Sequence, residues 1–127
     1  MARRAAVVRE LFRLLEEDGI DAVISATPDD VVWTPLGGGG QQFVGAEIRD
    51  YFAAQAAAGS AQTHRLYELE VHGEAIVARG AVHLHAPEAH QAFQPTWVYE
   101  FEGERLRRAT GYPTYRDALA ALEGRPR

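Results

Sequence analysis

The chain has 127 residues, 46% apolar and 24% charged, a balance that fits one folding unit spanning residues 1–127 with a real core and excludes the disordered and fibrous classes. Its net charge is −5 and its basic residues are scattered, apart from Arg3-Arg4, Arg105-Leu106-Arg107-Arg108 and Arg125-Pro126-Arg127, so no nucleic-acid partner is expected. The lack of any cysteine excludes disulfides, a thiolate nucleophile and cysteine-bound zinc.

The opening Met1-Ala2-Arg3-Arg4-Ala5-Ala6-Val7-Val8 begins as a signal peptide does, but Arg9 and Glu10 cut its apolar run short. No segment reaches the roughly 18 consecutive apolar residues of a membrane span, so the chain reads as soluble and cytoplasmic with no membrane partner. From Arg4 to Asp18, Val7, Val8, Leu11, Phe12, Leu14 and Leu15 fall at helical spacing, and Gly19 ends that helix. Ile20 to Ala26 continues as a second short helix, stopped by Pro28. A brief strand, Val31-Val32-Trp33-Thr34, follows Asp29-Asp30.

Pro35-Leu36-Gly37-Gly38-Gly39-Gly40 has no periodicity and reads as a flexible loop. Gln41-Gln42 follow it instead of the Gly-Lys-Ser/Thr of a phosphate-binding loop, so no nucleotide or other cofactor is implied. Gly45 to Ala58 is a third helix with Ile48, Tyr51, Phe52 and Gln55 on one stripe, closed by Gly59-Ser60.

The period then changes to alternation. Gln62 to His72, Glu74 to His85, Ala92 to Glu102 and Arg105 to Tyr112 read as a meander of four strands turning at Gly73, Pro87 to Gln91, and Gly103-Glu104. Tyr115 to Glu123 is a short amphipathic helix. Helices followed by a strand meander give an α+β class with a curved antiparallel sheet against three N-terminal helices.

A two-residue turn at Gly73-Glu74 sets Tyr67 opposite Gly80, Leu69 opposite Ala78 and Val71 opposite Ile76 on one face, and Glu68 opposite Arg79 and His64 opposite His83 on the other. Pairing His85 with Ala92 brings Gly80 to Trp97 and Ala78 to Tyr99. The Gly103-Glu104 turn places Leu106 by Phe101, Arg108 by Tyr99 and Thr110 by Trp97, with Glu100 against Arg107 and Glu102 against Arg105 outside. The inner face thus gathers large aromatics around small residues, which leaves room for a compact apolar or aromatic molecule. Tyr67 and Trp97 packing over Gly80 would fill that room instead.

The strand ending in Trp33-Thr34-Pro35-Leu36-Gly37, the segment Phe43-Val44-Gly45-Ala46-Glu47-Ile48-Arg49-Asp50-Tyr51-Phe52 and the four-strand meander resemble the ketosteroid-isomerase-like (nuclear-transport-factor-two-like) superfamily, in its SnoaL-like polyketide-cyclase branch. The resemblance spans nearly the whole chain. It implies a cone-shaped, cystatin-like α+β roll around a pocket, and a homodimer formed through the outer sheet face. Ketosteroid isomerases use an aspartate base before the strand-ending proline, a first-helix tyrosine and a neutral aspartic acid on a late strand. Thr34, Leu11 or Phe12, and Trp97 stand at those places, so that reaction is not implied and the catalytic residues stay unassigned.

The expected ligand contacts are Trp33, Tyr51, Tyr67, Trp97, Tyr99 and Thr110, with Arg108 as the polar anchor for a carboxylate or enolate oxygen. Arg108 can alternatively stack on Tyr99, pair with Asp50, or face outward if a bulge shifts the last strand. His64, His83 and His85 fall together on the outer face without a supporting carboxylate, which fits a solvated face or dimer interface rather than a metal site. Asp21, Asp29 and Asp30 sit near helix ends, where capping explains them. Two functions follow as expectations: a small-molecule-binding protein of the isomerase, cyclase or hydrolase kind, or a non-catalytic dimeric module with a vestigial pocket.

Overall fold

A computed structural model describes residues 2–36, 40–59, 61–86 and 89–123. The middle of the glycine loop, Ser60, part of the Pro87–Gln91 turn and the terminal basic group fall outside the described residues.

The helices form where the apolar spacing predicts them. Helix α1 (Ala2–Asp18) buries Val8, Leu11 and Phe12 from one stripe, and α2 (Ile20–Ser25) adds Val23 to the same core. Strand β1 (Val32–Thr34) pairs antiparallel with the two-residue β2 (Phe43–Val44). A single 3₁₀ turn at Gly45–Glu47 then leads into α3 (Ile48–Ala57), with the Glu47 carboxylate accepting the Val44 N–H at 2.8 Å. Gly45 needs its lack of a side chain here: its φ is +56°, and a Cβ would lie 2.1 Å from the Asp29 carbonyl oxygen.

Strands β3 (Ala61–His72), β4 (Ala75–Ala86), β5 (Ala89–Phe93), β6 (Thr96–Glu102) and β7 (Arg105–Tyr112) form the rest of an open sheet ordered β2-β1-β7-β6-β4-β3. Every pairing is antiparallel except β1 with β7, which is parallel. The strand expected from Ala92 to Glu102 is two strands instead. They break at Gln94-Pro95, where proline has no N–H to give the ladder, and both halves pair with β4.

Two bulges decide which side chains face inward. Leu66 and Leu69 both pack on the core, yet they are three apart, and a regular strand turns such residues to opposite faces. A bulge between Leu66 and Glu68 reconciles them. On its turn side the expected pairs hold: Glu68 with Arg79, Leu69 with Ala78, Val71 with Ile76. Beyond it every residue changes face, so that His64 pairs with Val82 and His83 with Thr63. Tyr67, expected inside opposite Gly80, is the extra residue and is 62% exposed.

Strand β7 repeats the device. Leu106 and Ala109, again three apart, both join the core because a bulge next to the Phe101–Leu106 pair absorbs Arg107. Ala109 therefore replaces Arg108 opposite Tyr99, Gly111 replaces Thr110 opposite Trp97, and Arg108 stands exposed opposite Glu100. Of the openings left to Arg108 by the sequence, the outward one is realised. The expected pairs of β4 with β6 are shifted by two residues, Ala78 meeting Trp97 and Ile76 meeting Tyr99, which keeps their faces.

Helix α4 (Tyr115–Glu123) lies on the outer face, where Ala118 packs with Ala75, Val77 and Val98. The Tyr115 hydroxyl donates to Glu70 at 3.1 Å and the Arg79 guanidinium sits 4.0 Å above the Tyr115 ring. Thr114 caps the helix by accepting the Asp117 N–H at 3.1 Å. Thr114→Ala is expected to lower unfolding stability by about 1 kcal/mol in denaturant titration. The acidic residues near the other helix ends pair with arginines instead of capping: Asp21 accepts from Arg49 at 2.6 Å, and Asp30 from Arg105 at 2.8 Å and Arg107 at 3.1 Å.

Candidate functional site

The concave face of the sheet and the first three helices enclose a cavity of about 520 Å³. Helix α1 contributes Leu11, Phe12 and Leu15, α2 contributes Ile20 and Val23, and α3 contributes Ile48, Tyr51, Phe52 and Gln55. The sheet supplies Trp33, Ala109 and Tyr99 from one cross-strand row and Gly111 and Trp97 from the next. Val82, Leu84, Phe93, His64 and Gln62 line it along the far half of β3, β4 and β5.

Of the residues expected to contact a ligand, Trp33, Tyr51, Trp97 and Tyr99 border the cavity. Tyr67, Arg108 and Thr110 do not, because the two bulges turn them to other surroundings. In their place stand His64 from β3 and the small Ala109 and Gly111 from β7. Thr34, Leu11, Phe12 and Trp97, which the resemblance set against the ketosteroid isomerase groups, all line it as well. Among the described residues lining the cavity there is no aspartate, glutamate, lysine or arginine.

Aromatic rings set its shape. Phe12 meets Trp97 edge-on at 5.1 Å between centroids and Tyr99 at 6.2 Å, and the His64 ring tilts against Trp97 at 6.2 Å. The Tyr51 hydroxyl donates to the Leu36 carbonyl at 3.1 Å and accepts from Gln55 at 2.9 Å, so it is fully engaged. Burial raises the Tyr51 hydroxyl pKa, opposed by that Gln55 bond.

The buried Trp33 indole N–H has no hydrogen-bond partner among the described residues, and the cavity-lining side chains of Thr34, Gln62, His64 and Tyr99 make no hydrogen bond among them either. Burial alone pushes Tyr99 upward and keeps its hydroxyl protonated. Burial also lowers His64 from 6.5 to about 4, so its ring is neutral at ordinary pH and can both accept and donate one hydrogen bond. His64 stands where the cavity meets a second cleft of about 330 Å³ that Glu16, Gly19 and Thr63 also border.

His83, His85 and His90 stack on the other side of the sheet, with ring centroids 4.6 Å apart for His85 and His90 and 5.6 Å for His83 and His90. The expected company of His64 with His83 and His85 is thus replaced by His90. Among the described residues no group of histidine or carboxylate side chains is placed to hold a metal ion, and no helix is long and apolar enough to cross a membrane.

A curved, unclosed sheet holding a cavity against N-terminal helices defines the NTF2-like cone architecture. Within it, the chain belongs to the SnoaL-like domain family, whose sequence model matches residues 8–109. An NTF2-like protein of unknown function from Burkholderia pseudomallei K96243 is 21% identical, with 94% of this chain and 97% of that one covered and a TM-score of 0.74. The epoxide hydrolase/cyclase-like enzyme SalBIII, with a role in pyran ring formation in the polyether salinomycin, is 17% identical, with 91% and 94% covered and a TM-score of 0.69. An LEH-like epoxide hydrolase of M. tuberculosis is 16% identical, with 96% and 86% covered and a TM-score of 0.68. No curated protein matches the chain.

Proposed function

We propose that the protein binds a compact, mainly apolar molecule in the cavity between sheet and helices, and acts on it as an isomerase, cyclase or hydrolase of the SnoaL-like kind. The observation that carries this reading is the cavity itself: about 520 Å³, walled by aromatic and aliphatic side chains, with the polar side chains of Thr34, Gln62, His64 and Tyr99 that make no hydrogen bond among the described residues. Its size is that of ordinary small-molecule sites, roughly 300–1,000 Å³. A cyclase-like enzyme and an epoxide hydrolase among the structural neighbours fit the reaction classes named.

The alternative, a non-catalytic dimer with a vestigial pocket, has less support. Tyr67 does not fill the space over Gly80, and α4 takes the apolar centre of the outer face, at Ala75, Val77 and Val98, away from any partner. A homodimer through that face would use what α4 leaves, the end that carries His83, His85 and His90.

The test is saturable quenching of tryptophan fluorescence by naphthalene, since both tryptophans, Trp33 and Trp97, line the cavity. Leu84→Trp places a larger ring across the cavity wall and is expected to weaken naphthalene binding at least about tenfold, with the circular dichroism spectrum kept. An affinity unchanged by this substitution, or no saturable binding to the unmodified protein, would count against the cavity as the ligand site.

A further inference from the structure

We infer that His64 is the catalytic base of this cavity, and that it moves a proton between two carbons of an uncharged, conjugated substrate. The inference rests on the ligand-binding reading given above and assigns the isomerising form of it to one residue.

Proton abstraction near neutral pH needs a side chain with an available lone pair and a pKa within reach of that pH. Among the described residues lining the cavity there is no aspartate, glutamate, lysine or arginine, which leaves hydroxyls, amides, indoles and one imidazole. The Thr34 hydroxyl and the Gln55 and Gln62 amides are not bases in this range, and an indole has only an N–H to give. Tyr51 and Tyr99 would first have to lose their own protons, which burial makes harder. His64 is thus the one side-chain base in the described wall, whatever hydrogen bonds the other groups make.

Its placement suits the task. The bulge at Tyr67 turns it toward the cavity, where its ring lies 6.2 Å from that of Trp97, and it makes no hydrogen bond among the described residues that would occupy its lone pair. The other titratable groups bordering the cavity and the adjoining cleft are Glu16 from α1, Tyr51 from α3 and Tyr99 from β6, and none of them pairs with the ring. Burial keeps the imidazole neutral down to about pH 4, and the same burial makes the imidazolium, once formed, a strong acid that gives its proton back.

No lysine or arginine lines the cavity to hold an enolate by ion pairing, so the electron pair left behind must spread through the substrate's own conjugated system. In the step, the C–H pair enters that system, the proton passes to the free imidazole nitrogen, and the imidazolium delivers it to a second carbon. Atoms and charge balance, and no co-reactant is consumed.

The probe is 5-nitrobenzisoxazole, a flat, uncharged carbon acid. A base removes its C–H proton, the electron pair forms a nitrile, the N–O bond breaks and a coloured phenolate leaves. The imidazolium then gives its proton to water through the cleft that the exposed Glu16 borders. Wild type is expected to open the probe with saturation, inhibited by naphthalene, at a rate flat from about pH 8 to about pH 5. His64→Leu should lower kcat at least about tenfold with KM within about threefold. His64→Gln, closer in shape and equally unable to take the proton, should lose as much, and it decides the matter if the leucine variant does not fold.

A kcat unchanged in both variants, a rate that naphthalene does not inhibit, or a rate that falls through pH 6.5 as a solvated histidine would, overturns the inference. So does saturable naphthalene binding without turnover of the probe by wild type, and the cavity reading survives that result. Failure of both naphthalene and the probe to bind overturns the cavity reading and this inference together.

Discussion

Gly80→Ala is expected to lower the unfolding free energy by about 3 kcal/mol or more, a large effect for adding one methyl group. A Cβ at this position would lie 2.0 Å from the Arg65 carbonyl oxygen, 3.0 Å from its carbon, and 3.2 Å from the Trp97 ring. The oxygen and carbon are backbone atoms of β3, so no side chain can rotate away to make room. Relief requires β3 to lift off β4 at the bulge that turns His64 into the cavity. Denaturant unfolding gives the size of the effect, and hydrogen exchange should show protection lost first at residues 62–66. A loss below about 1 kcal/mol would mean that β3 does not press on Gly80 as described.

The second large effect is a pH dependence of stability that belongs to His64. Its folded pKa of about 4 lies below the unfolded 6.5, so as pH falls the unfolded chain takes up this proton before the folded one does. The stabilisation from the neutral ring is fully present above pH 6.5 and is lost as pH falls through the window from 6.5 to about 4. It amounts to up to about 3 kcal/mol. His64→Gln has no such proton to gain, so the stability difference between wild type and variant should move by that amount in favour of the variant between pH 7 and pH 4. A constant difference would show that the ring is solvated in the folded protein.

The order of the helices and the longer strands was legible in the sequence because its signals are local, whereas the two-residue β2 and the separate β5 were not. The helical stripe of Val8, Leu11 and Phe12, the stop at Gly19, and the turns at Gly73 and Gly103 each act within a few residues. The faces of the strands were legible only as far as the first irregularity. Next to the Gly73 turn the expected pairs hold, and past the bulge at Tyr67 they invert, so an apparently outward His64 lines the cavity and an apparently inward Tyr67 meets solvent.

A signal for this was present in the spacing. Leu66 with Leu69, and Leu106 with Ala109, are apolar pairs three residues apart within a strand, and both members can reach the core only if an extra residue is absorbed between them. Alternation read from the turn outward favours Tyr67 and Arg108, whose phase fits an unbroken strand. The core instead takes both members of each pair, at the cost of one unpaired residue per strand. The four expected aromatic residues that border the cavity, Trp33, Tyr51, Trp97 and Tyr99, lie outside the two bulged stretches.

The claim on which the site depends is that the bulge at Tyr67 places His64 inside the cavity against Trp97. An NMR pH titration of the His64 ring, assigned by its disappearance in His64→Gln, tests this directly when combined with through-space contacts to the Trp97 indole. The structure predicts a ring that stays neutral down to about pH 4 and shows contacts to Trp97, whose ring centroid lies 6.2 Å away. A His64 ring that titrates near 6.5 without contact to Trp97 would place it on the outer face and contradict the site described above.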